Sequence, residues 1–216
     1  MEGRGKRAVF CDFDGTITAK ETFEVVLRQF APNLSAQLLP QIYDLKLTLR
    51  QGVRQILESI PSQRYPDILE FARFQPIRPG FVELLDCLER REVPIIVVSG
   101  GLRGMVETVL GSMSDRVFAI HAIEVDPRGE FLQVSSQFEG DTELVAKVKV
   151  MEHYNVEEAV AIGDSLTDLN LAMATRTVFA RDRLSRYLDE RRQPYLRWND
   201  FFDVRDWLRQ YWQPGG

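Results

Sequence analysis

Two runs of this 216-residue chain place carboxylates where chemistry is possible: VFCDFDGTIT, with Asp12 and Asp14, and AVAIGDSLTDLN, with Asp164 and Asp168. Each begins as a short apolar stretch that reads as a buried parallel strand, and open α/β sheets bind ligands at the carboxyl ends of such strands. Residues i and i+2 of a strand share a face, which predicts that Asp12 and Asp14 point the same way, with Gly15 allowing a sharp turn beyond them. Gathered carboxylates repel one another and lose hydration, so a site built from them needs a cation. Mg²⁺ suits carboxylate oxygens and brings phosphate oxygens with it. A third run, VVSGG at 97–101, ends a strand with a hydroxyl and two glycines, offering Ser99 Oγ and backbone N–H groups at Gly100 to a phosphate. Taken singly, DxD also suits a loop cap, and Asp164 or Ser165 also suits an N-cap for a helix over 166–174.

DFDGT, VVSGG and GDSLTD, in this order, resemble the motifs of the haloacid-dehalogenase-type phosphohydrolases. The resemblance spans essentially the whole chain and looks like the phosphoserine-phosphatase-like branch, in which a helical cap is inserted after the first motif. It implies an Mg²⁺-dependent phosphomonoesterase with a phospho-aspartyl intermediate. On that pattern Asp12 is the nucleophile and a metal ligand. Asp14 is the general acid, then the base toward water, and lends its backbone carbonyl to the metal. Asp164 is a direct ligand, Asp168 a further metal-site carboxylate that orients bound water, and Thr16, Ser99 and Gly100 bind phosphate. Glu21, nine residues beyond Asp12, stands where relatives place a cap-entry glutamate facing the leaving group, although a helix N-terminus also favours an acid there. The pattern further requires a lysine ahead of GDSLTD. Lys147, followed by Val150, Met151 and Tyr154 at helical spacing, is the first choice and Lys149 the second.

Two substrate classes stay open within that branch. Glu21 suits the phosphoserine phosphatases, but Gly52 stands where those enzymes carry an arginine for the substrate carboxylate, with Arg50 and Arg54 to either side. The runs FAPNL, LRQGVRQILESIP, IRPGFVELLDCL, GDSLTD and FARD look more like the methionine-salvage phosphatases, whose substrate is 2-hydroxy-3-keto-5-methylthiopentenyl 1-phosphate. Phosphoryl transfer to an acceptor other than water, or a non-catalytic phosphate-binding module, is the lesser alternative.

The elements that must position these groups are legible as periodicity. AVFCDF at 8–13, VPIIVVSGG at 93–101, EAVAIGD at 158–164 and RTVFA at 176–180 read as strands. FVELLDCLERR at 81–91 and LRGMVETVLGSM at 102–113 read as helices between them. Strands alternating with helices predict an α/β fold, a Rossmann-like parallel sheet flanked by helices. Residues 20–76 hold helical stretches and no good strand, so they read as a small inserted helical cap, with the core formed by 1–19 and 77–216. IEVDPRGEFLQV predicts a β-hairpin with a type I turn. YLRWNDFFDVRDWLRQYWQ reads as an amphipathic helix packed on the sheet, or as a subunit interface.

Composition narrows the partners. A net charge of −5 without a long basic run speaks against nucleic acid and anionic membranes. The basic stretch ARDRLSRYLDERRQPYLR is interleaved with acids and reads as a solvated helix face. Cys11 and Cys87 show no metal-type or disulfide spacing, and no apolar run approaches the ~20 residues of a membrane span. MEGRGKR leads only into AVFC before Asp12, too short for a signal-peptide core. The expectation is a cytoplasmic enzyme, monomeric or homodimeric, acting on a small phosphorylated metabolite.

Overall fold

A computed structural model describes residues 7–212, so the outermost parts of the expected core, 1–6 and 213–216, and most of the N-terminal run lie outside the described residues. The strands are β1 Arg7–Cys11, β2 Ile95–Leu102, β3 Ala119–Asp126, β4 Gln133–Ser135, β5 Glu158–Gly163, β6 Thr177–Ala180 and β7 Leu196–Arg197. They form one seven-stranded sheet in the order β4-β3-β2-β1-β5-β6-β7. All neighbours are parallel except β3 and β4, whose antiparallel pairing supplies the expected hairpin. From β1 the chain first builds outward through β2 to β4, then returns to lay β5 on the other side of β1. That reversal opens a crevice between the carboxyl ends of β1 and β5, the position where such sheets take their ligands.

Strand alternation splits the core into two layers. Ala8, Phe10, Ile96 and Val98 enter one cluster, while Val9, Cys11, Ile95 and Val97 enter the other. The helices are α1 Phe23–Phe30, α2 Pro32–Tyr43, α3 Leu49–Leu57, α4 Tyr65–Arg73, α5 Phe81–Glu89, α6 Arg103–Leu110, α7 Lys147–Tyr154, α8 Leu169–Met173, α9 Asp182–Glu190 and α10 Phe201–Tyr211. α5 and α10 cover the second layer, where Phe81 and Phe201 meet with ring centroids 5.1 Å apart.

The stretch from Phe23 to Arg73 is helical, as its periodicity predicts. Pro32 opens α2, Pro40 sits inside it, and a capping box between Thr48 and Gln51 starts α3. The segments entering and leaving this helical unit run side by side: Thr18 bridges Ile77, and the Ala19 N–H donates to the Pro76 carbonyl at 2.9 Å. Val26, Leu27, Leu38 and Ile56 share one apolar cluster with Phe10 and Val98 of the sheet. A backbone bond from the Arg50 N–H to the Thr142 carbonyl (2.8 Å) ties the unit to the segment before α7.

Three expectations change. β1 ends at Cys11, so Asp12 and Phe13 lie past the strand and alternation does not govern Asp14. The C-terminal aromatic stretch is not one helix: Leu196 and Arg197 form an edge strand, and α10 starts only after Asp200, whose carboxylate accepts from the Phe202 N–H (2.9 Å). The cap residue stops the helix from extending backward. Residues 166–168 form a 3₁₀ turn capped by Ser165 rather than the start of an α-helix. Removing the Phe81 ring, which lines no part of the crevice, should lower folding stability by about 3–5 kcal/mol. A fall in the urea midpoint of Phe81→Ala measures it, and a midpoint equal to that of the parent contradicts the packing described.

Candidate active site

Asp12 follows β1 directly, and its N–H donates to the Ile162 carbonyl of β5 at 2.9 Å, fixing it at the crevice. Asp12 is 4% exposed, and Lys147, the first residue of α7, is 2% exposed. The Lys147 ammonium donates to Asp12 Oδ1 at 2.5 Å and to Asp168 Oδ1 at 2.6 Å. Asp168 spends its second oxygen on the N–H groups of Asp164 and Ser165, each at 3.0 Å. Thr16 is fully buried and donates to Asp164 Oδ1 at 3.2 Å, so it braces a carboxylate from below instead of facing the cavity. Gly15 has φ +83°, and a Cβ there would overlap Asp164 Oδ2. The turn after Asp12 therefore needs glycine on both conformational and steric grounds.

One oxygen each from Asp12, Asp164 and Asp168 lies within 4.8 Å of the others. Asp12 Oδ2 is buried and accepts no hydrogen bond from a described residue. Such an orphan is costly in a folded interior, and a hard cation is the partner this donor set fits. Burial pushes the Asp12 carboxyl up to about 7, with Asp168 adding to the rise and Lys147 opposing it. Burial likewise raises Asp164 to about 9, helped by Asp12 and Asp168. Burial works against the Lys147 ammonium, but the charges of Asp12 and Asp168 outweigh it and hold its pKa above the ordinary lysine value. Lys149 is elsewhere: its exposed ammonium donates to the Glu139 carbonyl at 2.8 Å.

Asp14 faces the same cavity but is held differently. Its carboxyl accepts from the Thr22 N–H (2.7 Å), the Phe23 N–H (2.9 Å) and the Thr22 hydroxyl, at the first turn of α1. Burial raises its pKa against those three donors. Ser99 is fully buried and its Oγ accepts from the Gly101 N–H at 3.0 Å, while Gly100 beside it is open, with nothing within 4 Å of where a Cβ would be. The register of β2 against β3 shifts between Val98 and Leu102, which is what frees this backbone from the ladder. Glu21 stands at the cavity mouth, 3.4 Å from Arg183 Nη2.

The cavity holds about 640 Å³. Asp12, Asp14, Gly100 and Lys147 form its charged end, and Leu39, Ile42, Leu47, Val53, Leu144 and Leu169 are among its apolar walls. One supporting residue had no motif to announce it. Arg78, nearly buried, sends its guanidinium to the carbonyls of Gly15 (2.5 Å) and Thr16 (2.9 Å) and lies over the Trp198 ring at 5.3 Å. Its sequence signal is a cation confined between two prolines, in PIRPG, at the return to the sheet.

The haloacid dehalogenase-like hydrolase family model matches residues 9–173, and the chain belongs to that family. Among curated relatives, a 2-hydroxy-3-keto-5-methylthiopentenyl-1-phosphate phosphatase of Microcystis aeruginosa (strain NIES-843 / IAM M-2473) is 53% identical over 204 residues, covering 94% of this chain and 97% of its own. An enzyme of the same name from Brevibacillus brevis is 30% identical, covering 96% of this chain and 97% of its own. Two solved structures share the fold. A phosphoserine phosphatase with a phospho-aspartyl intermediate analogue has TM-score 0.67 at 18% identity, covering 97% of this chain and 100% of that one. The phosphoserine phosphatase of T. onnurineus has TM-score 0.70 at 15% identity, covering 94% of each. Among the described residues no helix is long and apolar enough to cross a membrane.

The raised carboxyls predict a pH effect. Burial raises the Asp12 and Asp164 carboxyls above the value near 4 that they have when unfolded, so the native state holds their protons longer. Stability of the metal-free protein therefore falls as pH rises from about 4 to about 9. Lys147 stays protonated throughout that window. Thermal midpoints in EDTA across this range check it; midpoints that climb steadily toward alkaline pH contradict it.

Proposed function

We propose that this chain is an Mg²⁺-dependent phosphatase of 2-hydroxy-3-keto-5-methylthiopentenyl 1-phosphate, acting through a phospho-aspartate on Asp12. The relatives' shared name supports the substrate, and the observation that carries the reading is the two-ended cavity: charges at Asp12 and Lys147, apolar side chains from the helical unit elsewhere. A methylthio tail is apolar and gains by burial against Ile42, Leu47 and Val53. Phosphoserine instead presents a carboxylate, and the cations on the cavity wall, Lys147 and Arg183, are already paired. Arg50 and Arg54 both pair with Glu139 and line no part of the cavity, and Arg183 is paired with Glu21. A side chain at Gly52 would overlap Ile42 Cδ1, so no larger residue fits there without repacking α2 against α3. Burying such a charge unpaired against an apolar wall is costly.

In the proposed reaction Asp12 attacks phosphorus, forming the Asp12–phosphorus bond as the ester oxygen leaves. Asp14, its pKa raised by burial, gives that oxygen a proton. The Asp14 carboxylate then takes a proton from water as the water attacks phosphorus, releasing phosphate and restoring Asp12. Lys147 keeps one Asp12 oxygen fixed and offsets negative charge, and Gly100 borders the same end of the cavity with open space beside its Cα. Asp12 and Asp164 would hold Mg²⁺, with Asp168 fixing Lys147 and the turn at Asp164 behind them; the ion supplies charge neutralisation for the phosphate. The helical unit over 20–76 would act as the cap that keeps bulk water from the cavity.

Asp12→Asn should abolish turnover with the fold intact, and retention of about a tenth of the parent rate would remove the covalent route. Steady-state kcat/KM for the methylthiopentenyl ester should exceed that for phosphoserine by about a hundredfold or more. A ratio near unity or inverted overturns the substrate; no phosphate release from any monoester with Mg²⁺ present overturns the enzyme.

A further inference from the structure

The acids on the cavity wall are engaged, with one exception. Lys147 holds Asp12, the first turn of α1 holds Asp14, Arg183 pairs with Glu21, and Arg28 and Tyr43 hold Glu24. Glu143 lines the same cavity, half-buried, and its carboxyl has neither a hydrogen bond nor an ion pair with any described residue. It lies at the charged end: Lys147 is four residues on, and the charges of Lys147 and Asp168 both act on it, while burial is the main cause that raises its pKa.

Its place is built rather than incidental. The segment carrying it closes on itself, with the Gly140 N–H on the Glu143 carbonyl (2.9 Å) and the Ala146 N–H on the Phe138 carbonyl (2.8 Å). Leu144 and Val145 anchor it by burial, and the Arg50 N–H pins Thr142 to the helical unit. The segment therefore presents the Glu143 side chain to the cavity from a fixed backbone.

An unpaired carboxylate facing a site for a phosphate dianion is electrostatically unfavourable, unless the ligand itself brings a donor to it. A hydroxyl is such a donor, and an ester with one on the carbon beside the phosphorylated carbon delivers it to the charged end. We propose that Glu143 accepts a hydrogen bond from that hydroxyl, making it the specificity-determining residue for 2-hydroxyalkyl phosphate monoesters. The proposal deepens the phosphatase reading above and rests on it.

The test uses two small esters differing only in that group, 2-hydroxypropyl phosphate and n-propyl phosphate, with the full-length protein and Mg²⁺. The parent protein should prefer the hydroxylated ester in kcat/KM. In Glu143→Ala the ratio of the two values should fall by about tenfold, the scale of one hydrogen bond to a charged group. Glu143→Gln keeps an acceptor oxygen and the shape, so it should keep more of the preference than alanine; circular dichroism verifies folding of both. An unchanged ratio in Glu143→Ala overturns the proposal, whether both esters slow together, as for a structural residue, or both speed up, as for simple repulsion. A parent ratio near unity overturns it as well. Turnover of p-nitrophenyl phosphate by the parent protein separates these failures from that of the phosphatase reading, which falls if no ester is hydrolysed.

Discussion

Four carboxylates converge on the crevice between β1 and β5, and a single buried ammonium, Lys147, is what lets Asp12 and Asp168 stand there together. Two negative charges share one positive charge away from water, so the cluster stays short of positive charge, and burial above all holds the carboxyls of Asp12 and Asp164 above their ordinary range. The fold thereby keeps a deficit at the one place where its ligand enters. An arrangement that balanced its own charges would be more stable and would have no affinity for a cation or for the anion that accompanies it.

The surrounding backbone serves that cluster. Gly15 turns the chain tightly enough to leave room for the Asp164 carboxyl, and Arg78 ties down the carbonyls on either side of the turn. Asp168 acts through both oxygens, one on Lys147 and one on the N–H groups of Asp164 and Ser165, so a single side chain fixes the ammonium and the second acidic loop at once. The helical unit contributes mainly apolar surface, and its leucines and isoleucines belong to the same core as the sheet beneath it. Under the proposed reading, recognition of the phosphate and of the rest of the ester rests on different layers of one molecule.

Much of this was legible before any coordinates. The apolar runs that lead into Asp12, Ser99 and Asp164 are short and closed by glycine or by an acid, and their order alone predicts a parallel sheet with its site at the carboxyl edge. Lys147 and Lys149 could not be separated by spacing, because only the start of α7 decides which of them points inward. Thr16 read as a phosphate ligand, yet its hydroxyl turns to Asp164, since the chain bends at Gly15 before reaching it. β7 escaped notice because two residues carry no periodicity. Arg78 and Glu143 belong to no motif, and their roles come from partners 60 and more residues away or from the lack of any among the described residues.

The anchoring of Asp14 has one more consequence. Its carboxyl hangs from Thr22 and Phe23, where the helical unit begins, whereas Asp12 hangs from the sheet. Under the proposed chemistry the donor's carboxyl is thus oriented by the roof and the attacking oxygen by the floor. A poorly fitting guest that leaves the roof ajar would still find its phosphate gripped below, but with the donor out of line. Discrimination between guests would then surface in how fast they react more than in how tightly they are held.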